Sequence, residues 1–329
     1  MRKVWMLPLA ILLVLALGAC GNNSNNAGNT SSPATSAANS PSASPSASPS
    51  DTASGEAATG TITYQSQTGP VEVPANPQRV VVLSSYVGDV ISLGVNLVGV
   101  DSWSKMNTRW ADKLKDVATV SDENLEQIIE LKPDLIIGLD NVKNLDKLKQ
   151  IAPTVVFTYG KVDYLTQHIE IGKVLNKEKE ATAWVDDFKA RAAKAGEEIK
   201  AKIGADATVS VIESYQKQLY VYGDNWGRGT EILYQAMGLK MPQKQKEATE
   251  KDGYFEISSE VIPEYAGDYI IMSTSSDADT AFEQTDTYKN IPAVKAGHVF
   301  KVKMEDFYFN DADTLDYQLQ FFIDSFLGQ

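Results

Sequence analysis

Cysteine occurs once in this chain, at Cys20, and histidine twice, at His168 and His298. One thiol excludes an intrachain disulfide and a thiolate cluster, and one histidine in each half does not make a His-rich metal cage. The chain has no Gly-x-Ser-x-Gly elbow, no GxxxxGK[ST] loop and no GxGxxG loop, which removes the usual signatures of a serine hydrolase or a nucleotide binder. Cations are scarce too. The 30 Lys and Arg face 43 Asp and Glu, a formal charge of −13, so neither nucleic acid nor an anionic membrane surface is the expected partner. We read most of that acidity as solubility. The only long apolar run, Val4 to Leu17 with Pro8 inside it, is too short to span a membrane comfortably.

That run instead has the layout of a secretory signal, with Arg2 and Lys3 ahead of it. The tetrapeptide Leu17-Gly18-Ala19-Cys20 follows at once and resembles a bacterial lipobox, which implies a lipidated Cys20 as the mature N-terminus. Residues 1–19 are thus expected to be a lipoprotein signal peptide. Residues 20–59 are almost all Asn, Ser, Ala, Pro, Gly and Thr, and cannot bury enough surface to offset chain entropy. They are expected to form a disordered tether with a reach of about 35 Å. The globular part then begins near residue 60, beyond a membrane surface to which the lipid holds it.

From there short apolar runs alternate with helical patterns. Arg79–Leu83, Leu97–Val100, Asp134–Gly138 and Thr154–Thr158 read as buried parallel strands in a first half; Val209–Glu213, Asp268–Met272 and His298–Val302 do so in a second. Between the halves, Lys177 to Lys202 carries almost no turn signal. Val185, Phe188, Ala192, Ala195 and Ile199 make one apolar stripe on it, with Trp184 alongside and Gly196 as the single weak spot. The fold expected is α/β, two Rossmann-like lobes (60–177 and 204–329) joined by one long helix (178–203) that limits hinging.

The most informative local run is Tyr220-Val-Tyr-Gly-Asp-Asn-Trp226-Gly-Arg228-Gly-Thr230. Tyr220 and Tyr222 share one strand face, because side chains alternate. Thr230 is expected to cap a helix starting at Glu231 and ending at Gly238. Arg228 between two glycines reads as a guanidinium fork without local cover, facing a ligand or solvent. An ordinary strand-to-helix turn with core aromatics is the bland alternative.

Several segments together resemble a known family. Asn76-Pro-Gln-Arg-Val-Val-Val, Leu93-Gly-Val-Asn-Leu-Val-Gly-Val100 and Asn124-Leu-Glu-Gln-Ile-Ile-Glu-Leu-Lys-Pro-Asp-Leu-Ile-Ile137 are similar to the N-lobe of iron–siderophore and cobalamin substrate-binding proteins of ABC importers. Ile257-Ser-Ser-Glu260, Tyr265-Ala-Gly-Asp-Tyr-Ile270 and Ile291-Pro-Ala-Val-Lys-Ala-Gly-His298 fit the C-lobe, so the likeness covers about residue 61 to the end. The Tyr220–Thr230 run followed by Glu231-Ile-Leu-Tyr-Gln-Ala-Met-Gly-Leu-Lys-Met241 narrows it to Gram-positive ferric hydroxamate-binding lipoproteins of the FhuD type. The resemblance implies a two-lobed class III substrate-binding protein with Tyr220, Trp226 and Arg228 lining the siderophore site. It also implies that Glu126 and Glu260, one per lobe, dock on permease arginines, and that the Phe307-Tyr308-Phe309 cluster contacts the siderophore.

A ferric trihydroxamate arrives with its iron saturated by six oxygens. The protein then needs aromatic walls and a donor fork rather than metal ligands or a cofactor of its own. Tyr222 joins the proposed walls. Strand ends in the opposite lobe add Tyr86, Trp103, Lys105, Met106 and Arg109 as candidates, although Trp103 and Trp110 packing a local helix stays open. The expected product is a non-enzymatic, monomeric binder anchored on the extracellular face. A ferric catecholate held by Lys105, Arg109 and Arg228, a cobalamin or haem binder, and a surface hydrolase remain as rivals.

Overall fold

The runs Val80–Leu83, Leu135–Leu139 and Thr154–Phe157 are β-branched or bulky at nearly every position. Such residues suit a pleated strand covered on both faces, and almost every one of them is buried. In the computed structural model, which describes residues 60–328, they form a five-stranded parallel sheet with order β5-β4-β3-β6-β7. Its members are β3 (Val80–Leu83), β4 (Leu97–Val100), β5 (Ala118–Thr119), β6 (Leu135–Leu139) and β7 (Thr154–Phe157). Helices α1 (Val87–Ser92), α2 (Leu125–Glu130), α3 (Leu145–Ile151) and α4 (Tyr164–Val174) follow strands of this sheet. An antiparallel hairpin precedes it, β1 (Thr61–Ser66) and β2 (Gly69–Pro74). The signal segment, Cys20 and the tether expected from the sequence lie outside the described residues.

The second sheet has order β10-β9-β8-β11-β12. Its parallel core is β8 (Val209–Tyr215), β11 (Tyr269–Thr274) and β12 (Val299–Lys303). The edge is different: β9 (Gln218–Tyr222) runs antiparallel to β8, and β10 (Tyr254–Ile257) antiparallel to β9. This edge carries the aromatic side chains described below.

Helix α5 (Glu178–Ile203) carries the chain from the first five-stranded sheet to the second, giving the α/β architecture expected. Its stripe of Val185, Phe188, Ala192, Ala195 and Ile199 is fully buried. Gly196 has a packing reason. A Cβ there would lie 2.3 Å from the Met237 carbonyl, so the close approach of this helix to Glu231–Ala236 requires glycine. That segment corrects the expected ordinary helix. It is π-wound, with Met237 N–H donating to the Ile232 carbonyl at 2.8 Å. Thr230 is not its cap in the expected sense: its backbone is already helical, and its hydroxyl donates to the Gly227 carbonyl at 2.8 Å.

The last helix, Ala312–Leu327, packs on both α1 and α5 and so ties the C-terminal half back to the first lobe. Its cap, Asp311, sits so close to α1 that a Cβ on Gly88 would fall 1.7 Å from the Asp311 carboxylate. Asp89 of α1 accepts from the Ala312 N–H at 3.1 Å, and its carboxylate meets the Nδ1 of buried His168 at 2.8 Å.

Candidate ligand-binding cleft

The antiparallel register of β9 and β10 places Tyr254 opposite Tyr222, and alternation puts Tyr220 on the same face. Ring centroids lie 6.5 Å apart for Tyr220 and Tyr222, 6.3 Å for Tyr220 and Tyr254, and 5.2 Å for Tyr254 and Trp226. These four rings make one continuous aromatic wall. Gly253 supports it, since a Cβ there would come within 1.5 Å of the Trp226 indole nitrogen. Across the cleft stands Tyr159, just beyond the end of β7, its ring 6.3 Å from that of Trp226. A cavity of about 560 Å³ beside this pair is lined by Tyr86, Tyr159 and Lys161 from one lobe and Trp226, Glu231 and Asn310 from the other; of the four wall rings, Trp226 alone is among its lining residues.

Arg228 lies at the base of this wall, in a backbone run of three left-handed residues: Gly227, Arg228 and Gly229 have φ of 69°, 57° and 80°. The strain at the arginine is offset by contacts that fix it from several sides. Its N–H donates to the Phe307 carbonyl at 2.8 Å. Its Nε and Nη2 donate to the two oxygens of Glu213 at 3.0 and 2.9 Å, and Nη1 donates to the Trp226 carbonyl at 2.9 Å. The Tyr222 and Tyr308 rings lie 4.4 and 4.1 Å from the guanidinium carbon. The uncovered fork expected from the sequence is therefore a covered one, with Arg228 only 7% exposed. Burial opposes its charge, but the Glu213 carboxylate outweighs this and raises the arginine's pKa. Three of five guanidinium N–H groups are engaged; the other two have no partner among the described residues.

Other expected site residues divide sharply. Tyr86 lines the cleft, and its buried hydroxyl has no hydrogen-bond partner among the described residues. Trp103 meets Tyr308 edge-on at 4.6 Å, across the two lobes. Tyr308 is thus the member of the Phe307–Phe309 cluster that faces the arginine. Phe307 is buried among Tyr317, Phe321 and Phe322, and Phe309 stacks on Trp110 at 5.3 Å, so both are packing residues. Lys105 is turned away, its ammonium donating to the Leu114 and Val117 carbonyls. Arg109 is also spoken for: it pairs with Asp313 at 3.0 Å and lies over the Tyr317 ring. Met106 borders a separate groove with Thr108, Thr274, Lys301 and Glu305.

The chain from 80 to 305 matches the model of a periplasmic binding protein family. The chain belongs to that family, in its FhuD-like branch. It is 35% identical to the iron(3+)-hydroxamate-binding protein FhuD of Bacillus subtilis over 331 residues, covering 98% of each chain. The same bacterium's iron(3+)-hydroxamate-binding protein YxeB is 33% identical, over 98% of this chain and 96% of the relative. Among solved structures, FhuD2 from Staphylococcus aureus with bound ferrioxamine B superimposes with a TM-score of 0.72 at 40% identity, covering 77% of this chain and 99% of that one. The FhuD protein from S. pseudintermedius gives 0.74 at 37% identity, over 82% and 99%.

Within this periplasmic-binding-protein frame, three cleft residues went unnoticed in the sequence. Tyr159 had a usable signal, since it directly follows an apolar strand whose carboxyl end faces the cleft. Tyr254 had none, because its place on the wall depends on pairing with a strand more than thirty residues away. Glu231, taken as a helix-start residue, is a buried acceptor of the Gly227 N–H at 3.0 Å and the Asn310 amide at 2.8 Å. Burial pushes its carboxyl up, against the pull of those hydrogen bonds.

Glu126 and Glu260 are both exposed, one on each lobe. Glu126 is in the first turn of α2, capped by Asn124. Ile129 is 54% exposed beside it, while Ile128 is the buried residue of that helix. Glu260 sits in the short 3-10 turn Ser259–Val261, where hydrogen bonding from Ser258 lowers its pKa.

Proposed function

We propose that this chain is the substrate-binding component of an ABC importer, which captures ferric hydroxamate siderophores in the interlobe cleft and delivers them to the permease. The observation that carries this is the aromatic wall Tyr220–Tyr222–Tyr254–Trp226, set across the cleft from Tyr159. Flat rings give large contact area to a bulky ligand body at low entropic cost. Arg228 offers its remaining donors to a hydroxamate oxygen, and Tyr308 and Trp103 close the wall over it. The iron stays within its own six oxygens, so the protein supplies shape and donors and no cofactor. The relatives FhuD and YxeB, named for iron(3+)-hydroxamate binding, support this ligand class.

The basic set required by a tri-anionic catecholate does not converge here. Lys105 serves loop carbonyls, Arg109 serves Asp313 and Arg228 serves Glu213. Delivery is assigned to Glu126 and Glu260, which meet permease arginines once the lobes hold the correct spacing. The protein works as a monomer, held to the extracellular face of the cell membrane through lipid on Cys20. Relatives named as siderophore-binding and substrate-binding lipoproteins support that anchoring.

A titration of the purified protein with ferrioxamine B and ferrichrome, followed by tryptophan fluorescence, tests the ligand class. Ferric complexes quench nearby indoles, and Trp226 borders the cleft. Saturable quenching at submicromolar concentration is expected with both; no quenching with either would remove the hydroxamate assignment.

A further inference from the structure

The ligand-facing charge of the site is set one layer behind it. Glu213 is buried on β8 and receives four hydrogen bonds: two from Arg228, one from the Tyr222 hydroxyl at 2.7 Å and one from the Ser273 hydroxyl at 2.9 Å. An acceptor so fully satisfied is held in one position. It fixes the guanidinium plane and cancels its charge where water is excluded. The cavity that adjoins the site at Trp226, which Arg228 itself does not line, adds no positive surplus. Asp89, Asp163, Asp224 and Glu231 line it, and Lys161 is the one cation among its described lining residues. Asp89 is partnered by His168, the basic group packed against it.

We propose that Glu213 is the positioning and charge-setting residue of the siderophore site. It makes Arg228 a neutralised donor, and so selects ferric complexes of zero or positive charge over anionic ones. This rests on the siderophore reading given above. An anionic complex entering the cleft would lose hydration without meeting net positive charge in return. A neutral complex loses little, and one carrying a protonated amine gains from the acidic lining.

The test compares wild type with Glu213→Gln, which keeps the shape and one acceptor oxygen, replaces the other by an N–H donor and removes the negative charge. Dissociation constants are measured for ferrioxamine B, which carries a protonated amine, for neutral ferrichrome and for a tri-anionic ferric tris-catecholate. We expect wild type to favour the hydroxamates strongly. In the variant, ferrioxamine B should weaken at least tenfold and the catecholate should tighten, collapsing the preference ratio about a hundredfold. A uniform loss across all three ligands would reduce Glu213 to a structural part and overturn the proposal.

A second variant, Ser273→Ala, keeps the carboxylate but removes one of its hydroxyl donors. It should retain the charge preference, and its loss there would also overturn the proposal. Should Glu213→Gln fail to fold, wild type alone decides through salt. Binding of neutral ferrichrome should be nearly flat between low and high salt, that of ferrioxamine B should weaken and that of the catecholate should improve; a catecholate that weakens with salt contradicts a neutralised site. If wild type binds none of the three ligands, the siderophore reading fails and this proposal with it. If it binds hydroxamates with an unchanged ratio in Glu213→Gln, only this proposal fails.

Discussion

Asp313 gathers three partners from the opposite lobe: Arg109 at 3.0 Å, the Trp110 indole N–H at 2.8 Å and Lys113 at 2.5 Å. Burial pushes its carboxyl up, but the hydrogen bonds from Lys113 and Trp110 and the two cationic charges win, and its pKa falls below the ordinary value. A carboxylate depressed in the folded state stabilises fully above its unfolded pKa of about 3.9, and that contribution is lost as pH falls through the folded value. Asp313→Asn should therefore cost about 1.5–3 kcal/mol at pH 7, the scale of a charge-assisted contact. Its Tm deficit against wild type should hold from pH 7 to 5 and close below about pH 4. A deficit that persists undiminished at pH 3 would show that charge is not what Asp313 contributes. The same residue explains why Arg109 misled: a cation after a strand end looks like a ligand contact until its acid, some two hundred residues away, is known. Glu213 was hidden in the same way behind Arg228, whereas the residue types of the wall, Tyr220, Tyr222 and Trp226, were visible because they are local.

At the scale of elements, legibility followed sequence distance. Seven of the parallel strands could be read because each is a short run rich in apolar residues, and their boundaries differ from expectation by only a residue or two; the two-residue β5 could not. Helix α5 could be read because five buried positions repeat at helical spacing over its length. The hairpin β1–β2 had a usable signal that went unread, an alternation of polar and apolar residues that suits strands with most of their surface in water. The π-wound Glu231–Ala236 could not be read. Its apolar pattern is that of any buried helix, and what diverts it is the crowding of Gly196 against Met237 together with the left-handed run ahead of it. The C-lobe edge was missed for a third reason. β10 contains Tyr254, Phe255 and Glu256, all exposed, and only pairing with β9 turns that polar-looking segment into part of a binding wall.

As a whole, the described molecule has two five-stranded sheets from successive halves of the chain, joined by one long helix and clasped by the C-terminal one. That arrangement leaves a cleft whose walls come from both lobes, with Glu126 exposed on one lobe and Glu260 on the other. Replacing Glu126 and Glu260 together by alanine should leave ferric hydroxamate affinity unchanged and abolish uptake by cells, measured with radiolabelled iron. Normal uptake in the double variant would remove them from permease docking. On the function proposed above, the guest lies against the Trp226 wall and beside Arg228. The most direct test of this placement is a crystal of the protein grown with ferrioxamine B, with iron located by anomalous scattering. A single iron peak between Trp226, Tyr159 and Tyr308, outside coordinating distance of any side chain, is the predicted result. Iron found elsewhere on the protein, or ligated directly by its carboxylates, would contradict it.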